Sequence, residues 1–156
     1  MQVTLPVILT FVAAGLDGLL AGASLDQSLK QLPARHRMGV SAFSLYSRSA
    51  DLSPNGVVWY AGLGISAALF TLAASLATAV AGSAHMVPIL LAAVLSVLHS
   101  IVTSQAAPLN FHQRKVQSDE AALATVFDQF ERWQTVRVTL QVLTFAATLW
   151  AVFVLR

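Results

Sequence analysis

Four long stretches almost free of formal charge constrain this chain more than anything else in it. Val57 to Ala84, His85 to Phe111 and Val138 to Leu155 contain no Asp, Glu, Lys or Arg, and Val3 to Leu25 is interrupted only by Asp17. About 20 apolar residues are needed for an α-helix to cross hydrocarbon, and only the last stretch falls slightly short. Lipid offers the backbone no hydrogen bonds, so each stretch is expected to be a helix. With 56% hydrophobic and 10% charged residues and a mean hydropathy of +0.70, the chain is far from the roughly one-quarter charged composition of a soluble domain. The expected fold class is all-α: a single integral membrane domain, residues 1–156, forming a four-transmembrane-helix bundle with spans near 3–25, 57–81, 86–107 and 135–155.

The first stretch resembles a secretory signal at Ala21-Gly22-Ala23. Met1-Gln2 supplies no basic leader, however, and Asp17 breaks the apolar run, so it reads as a retained span. There is no cysteine, which removes disulfides, thiolate nucleophiles and Cys-ligated metals from consideration. The net charge of +2 is small and scattered, so no nucleic-acid partner is expected; the partner implied is the lipid bilayer.

Eight of the nine basic residues lie in or beside the segments 26–56 and 108–134. The positive-inside rule then makes both segments cytoplasmic and puts both termini outside, and a bacterial inner membrane is the expected location. Pro33 is expected to stop or kink the first helix. Beyond it, Met38, Ala42, Leu45 and Ser49 share a helical face and Arg48 and Asp51 stand at ionic spacing, which predicts a short cytoplasmic interfacial helix between spans 1 and 2. Ser53-Pro54-Asn55-Gly56 marks a turn before span 2, and Ala81-Gly82-Ser83 a tight one after it. Ser118 before Asp119 and Glu120 reads as the N-cap of a helix that continues into span 4.

Polar residues at membrane depth are the candidates for function. Asp17 lies eight residues inside Leu25 and His99 eight inside Ala107, so each is placed about 12 Å from the same membrane edge at 1.5 Å per residue. An ionised carboxylate facing lipid is costly, so Asp17 is expected to face inward and find a partner in His99, Arg137 or Gln141. Thr103, one turn after His99, extends its face towards Asn110. Trp59, Tyr60 and Trp133 stand at span ends as interfacial anchors, and they are also candidates for the aromatic wall of a ligand cavity. Ala14, Gly18 and Gly22 form a small-residue strip that suits close helix packing within the monomer or, alternatively, a homo-oligomer contact. His36, His99 and His112 show no metal-ligand spacing, only His99 lies at depth, and no resident metal, haem or other cofactor is expected.

The segment "TSQAAPLN" at the end of span 3, followed by "FERWQTVRVTLQVL" entering span 4, resembles the anthrone-oxygenase-like family of small four-span membrane proteins, a family largely of unknown function. The residues carrying the resemblance are Thr103, Pro108, Asn110, Trp133 and Arg137; the first half of the chain matches mainly through its layout of spans. The resemblance implies that Pro108 ends span 3, that Asn110 bonds freed backbone or the opening of span 4, and that Arg137 points into the polar layer. It also implies a cofactor-independent oxygenase-type oxidoreductase acting on an apolar small molecule entering from lipid. His99 would then be the base, Asp17 its orienter and Arg137 or Asn110 the oxyanion partner, with Thr103, Trp133, Trp59, Tyr60 and Gln141 lining the substrate. The alternative expectation is a non-enzymatic membrane subunit or small-molecule binder whose polar layer fixes packing.

Overall fold

The computed structural model describes residues 4–84 and 86–154; His85 lies outside them. They form α1 (Leu5–Asp26), a π-helical turn (Gln27–Gln31), α2 (Leu32–Met38), α3 (Val40–Ser49), α4 (Pro54–Val80), α5 (Val87–His112) and α6 (Glu120–Val154). Four helical rods run up and down in sequence: Leu5–Met38, Pro54–Val80, Val87–His112 and Glu120–Val154. Each is long and apolar enough to cross a membrane. Each rod packs beside the next and α6 closes the ring on α1, with α4 and α5 meeting least closely.

The burial pattern is that of an integral membrane bundle. Large apolar side chains such as Leu19, Ile65, Leu76, Val94 and Phe153 point outward, while the interior is built from Ala13, Ala67, Ala74, Ala92, Thr10, Thr71, Ser96 and Thr144. Lipid is as apolar as leucine, so burying large side chains between helices yields little; small residues let the helices approach and polar ones bond across them. Gly18 serves this purpose on α1, because a Cβ there would stand 2.9 Å from Phe145 of α6. Gly22, expected on the same strip, has open space around it.

At the end carrying most of the basic residues the core changes character. Leu32, Phe43, Ala106, Leu123, Phe127 and Phe130 form a cluster of larger side chains under a cap made by α2, α3 and the first turns of α6. The expected helix through span 4 is present, but its cap is Asp119 rather than Ser118: Asp119 Oδ1 accepts from the Ala122 N–H at 3.0 Å. Ser53 caps α4 by accepting from the Gly56 N–H at 3.0 Å, with Pro54 at the first helical position. α4 ends at Gly82 (φ 65°), where Ser83 N–H reaches Thr78 O and Gly82 N–H reaches Ala79 O, the Schellman pattern that needs a left-handed residue.

Three expectations require correction. The first rod does not stop at Pro33. The π-helical turn ahead of it lets the Leu32 N–H bond the Gln27 carbonyl, five residues back, and this widened turn accommodates the proline ring and its missing donor. Pro108 likewise lies inside α5, which continues to His112. Third, Arg48 pairs with Ser44 O and Gln117 in place of Asp51; Met38, Ala42, Leu45 and Ser49 do lie together on the exposed side, opposite the buried Phe43, Ser44 and Ser47 of α3.

Candidate functional site

The buried polar residues fall into tiers along the bundle. On α6, Gln134, Gln141, Thr144 and Thr148 recur at helical spacing and face inward. Asp17, Ser24 and Gln27 do the same on the first rod, and Ser96 and His99 on α5.

His99 occupies the middle tier. Its Nε2 lies 2.7 Å from Gln141 Nε2 and 3.1 Å from Thr103 Oγ1. With the Gln141 amide placed this way its N–H donates to the Nε2 lone pair of the ring. Asp17 does not join it. The carboxylate accepts from Thr71 Oγ1 at 3.0 Å, and the crevice between Asp17 and His99 has no room for a water. Arg137 joins neither: its Nη2 donates to Gln27 Oε1 at 2.9 Å, and Gln27 Nε2 donates to Asp51 Oδ2 at 3.3 Å. A single amide thus links a guanidinium on α6 to a carboxylate in the turn before α4.

His99 and Arg137 nonetheless face a common space. A cavity of about 180 Å³ is walled by Leu20, Ser24 and Gln27 of the first rod, Tyr60 and Gly64 of α4, His99, Thr103 and Asn110 of α5, and Arg137 and Gln141 of α6. Asp51 and Leu52 cover it at the capped end. Ala61 and Phe111, also on its wall, are exposed, so the cavity opens sideways where α4 and α5 part.

Six of the nine candidate residues therefore share one cavity: His99, Arg137, Asn110, Thr103, Tyr60 and Gln141. Asp17 lines only the dry crevice beside it. Trp59 is 55% exposed on the outer surface, and Trp133 lines a shallow external groove with Gln105 and Arg132. Asn110 bonds neither freed backbone nor span 4: its Oδ1 accepts from Gln113 Nε2 at 2.7 Å, and Gln113 is held by Ser44 and Ser47 of α3. Gln27 and Asp51 were not foreseen as site residues. Gln27 carries no charge and lies past the end of the uncharged run, and Asp51 reads from its spacing as a surface partner of Arg48. Among the described residues no three His, Asp or Glu side chains cluster as a metal site.

Burial pushes the Asp51 carboxyl above its ordinary value of 3.8, against the opposing pull of the Gln27 hydrogen bond and the Arg137 charge. The folded state therefore keeps a proton that the unfolded chain releases, and stability falls as pH rises from about 3.8 through the raised value. Thermal unfolding in detergent across this range should show a smaller decline for Asp51→Asn than for the wild type. Equal declines would place the titration elsewhere.

The fold and the site define a four-helix membrane bundle with a half-enclosed, mainly apolar cavity near its capped end, set with a few polar side chains. Comparison with protein-family models, curated proteins and solved structures finds no match.

Proposed function

We propose that the chain is an oxygenase-type oxidoreductase that draws an apolar small molecule with a weakly acidic C–H or O–H from the bilayer. The carrying observation is the cavity itself, which opens between α4 and α5 and has an imidazole and a guanidinium on its lining. Bound substrate displaces the Gln141 and Thr103 donors from the one lone pair of His99 Nε2, which then takes the proton, and Arg137, one turn from Gln141 on α6, stabilises the oxyanion left on the substrate. Dioxygen then oxidises the anion, and for an activated methylene R₂CH₂ + O₂ → R₂C=O + H₂O balances. Orientation of the ring passes from Asp17 to Gln141 and Thr103, while Asp17 fixes packing through Thr71. The resemblance to anthrone-oxygenase-like proteins supports this reaction class.

Oxygen uptake by membranes carrying the protein, supplied with electron-rich aromatic ketones and phenols, tests this reading. Uptake by the wild type that vanishes in His99→Gln supports it, and uptake equal in both sinks it.

A non-enzymatic binder or packing subunit is the second reading, and the dry contact around Asp17 favours it for that tier alone. In either case the segments 26–56 and 108–134 face the cytoplasm, with α3 at the interface and its exposed Leu45 and Tyr46 against headgroups. Cysteines placed at Gln2 and Arg37 should label from opposite faces; labelling from one face contradicts this orientation.

A further inference from the structure

Among the described residues two formal charges line the cavity, Arg137 on α6 and Asp51 in the turn before α4. They do not pair. Arg137 forms no ion pair with any described carboxylate, and Gln27 stands between the two, accepting from Arg137 Nη2 and donating to Asp51 Oδ2. A guanidinium needs the amide oxygen and a carboxylate needs the amide nitrogen, so only one orientation of Gln27 serves both. Arg137 Nη2 is thus taken, and Nε is sealed from the cavity without a partner. Nη1 is the nitrogen that a molecule in the cavity can reach.

The rest of the lining is mainly apolar, with Leu20, Val57, Ala61 and Phe130 among it, so charges there are weakly screened. With both groups ionised the pair is neutral overall. An anion entering beside Arg137 leaves the cavity with an excess negative charge, and it competes with Asp51 for the same cation. Protonating Asp51 removes that excess. The neutral carboxyl keeps an oxygen that can accept from Gln27 Nε2, so the amide stays turned towards Arg137. Burial already favours the protonated form of Asp51. Around it, Asp26 of α1 is tied to the exposed Lys30, Tyr60 comes from α4, and Arg114, beyond α5, donates to the neighbouring Leu52 carbonyl.

We infer that the cavity takes up an anion together with a proton, the anion on Arg137 Nη1 and the proton on Asp51. This rests on the reading of Arg137 as the group that holds the oxyanion, and it adds how the charge of that anion is balanced.

The test is calorimetric binding to the full chain in phosphatidylcholine nanodiscs, from about pH 8 down to pH 4, a range that spans ordinary imidazole and carboxylate titrations. The probes are hexanesulfonate, charged throughout that range, and the uncharged hexyl methyl sulfone. Affinity of the wild type for the sulfonate should rise about tenfold towards acid, a usual size for coupling between two sites, with proton uptake on binding; the sulfone should show neither. Asp51→Asn, which keeps an oxygen for Gln27 Nε2, should bind the sulfonate at every pH as tightly as the wild type does in acid. His99 also lines the cavity, and a proton there would strengthen anion binding in the same direction, so His99→Gln must keep the rise. The comparison of probes on the wild type needs no variant to fold. Sulfonate binding that ignores pH overturns the coupled proton and leaves the oxyanion reading standing. A rise that survives Asp51→Asn or vanishes in His99→Gln puts the proton elsewhere and overturns the inference. If the sulfone binds and the sulfonate does not, Arg137 holds no anion; if neither binds saturably, the small-molecule site falls as well.

Discussion

His99→Gln is expected to lower turnover by roughly 10²–10⁴-fold, the usual contribution of a positioned general base, with little loss of folding stability. Glutamine keeps a polar side chain against Gln141 and Thr103, which hold Nε2 at 2.7 and 3.1 Å, but it cannot take up a proton in the working pH range. The interior at this level is otherwise built from small polar side chains such as Ser96 and Thr144, so a neutral amide meets no unpaired charge. Thr103→Val should have a smaller effect, since Gln141 still holds the ring. Oxygen uptake, compared with thermal unfolding of the same preparations, separates lost chemistry from lost fold. Parallel losses in both would make His99 a packing residue.

Arg35→Leu should destabilise the bundle by about 2–3 kcal/mol. Arg35 is 4% exposed; its Nη1 donates to Asp128 Oδ1 at 2.9 Å and its Nη2 to Glu131 Oε2 at 2.8 Å. The two carboxylates lie three residues apart on one face of α6, so without the guanidinium they repel each other beside the Phe127 ring. Removing one partner of a fully buried pair costs about 3–5 kcal/mol. Here the side chains of Asp128 and Glu131 remain 62% and 38% exposed, and water recovers part of that cost. Chemical denaturation in detergent measures the difference. Lys30→Met serves as the control, because Lys30 meets Asp26 on an exposed surface, where solvent leaves an ion pair little effect on stability. Equal effects of the two substitutions would remove Arg35 from its role in anchoring the cap.

The uncharged runs made the four rods legible, since only a helix can satisfy its own backbone in lipid. Helical spacing likewise brought Thr103, His99 and Asn110 onto one stretch of α5. The ends of the helices were less legible. Pro33 and Pro108 carry a strong local signal to stop, but a π-helical turn and the packing of the cap carry the chain through both. The stripe expected beyond Pro33 lies on the outward side of α3, and the buried Phe43 was not among the residues its spacing picked out. An apolar stripe such as Met38, Ala42 and Leu45 marks contact with any apolar medium, so it identifies lipid or headgroup contact as readily as a protein core. Pairing of Asp17 was overreached on similar grounds. Equal depth along two helices says nothing about rotation, and α4 supplied Thr71, a nearer and uncharged donor. Gln27 left no trace in the sequence because its role depends on Asp51 and Arg137 arriving on either side of it.

Anaerobic exchange of substrate protons for deuterium tests the account most directly, because it isolates proton abstraction from everything that follows. The protein in nanodiscs is incubated in D₂O with a benzylic ketone whose methylene lies between the ring and the carbonyl, and deuterium uptake is followed by NMR. The account predicts exchange well above that of empty nanodiscs for the wild type and a return to that background in His99→Gln. Exchange at the background rate in the wild type, or equally fast exchange in the variant, would contradict a proton-abstracting role for His99.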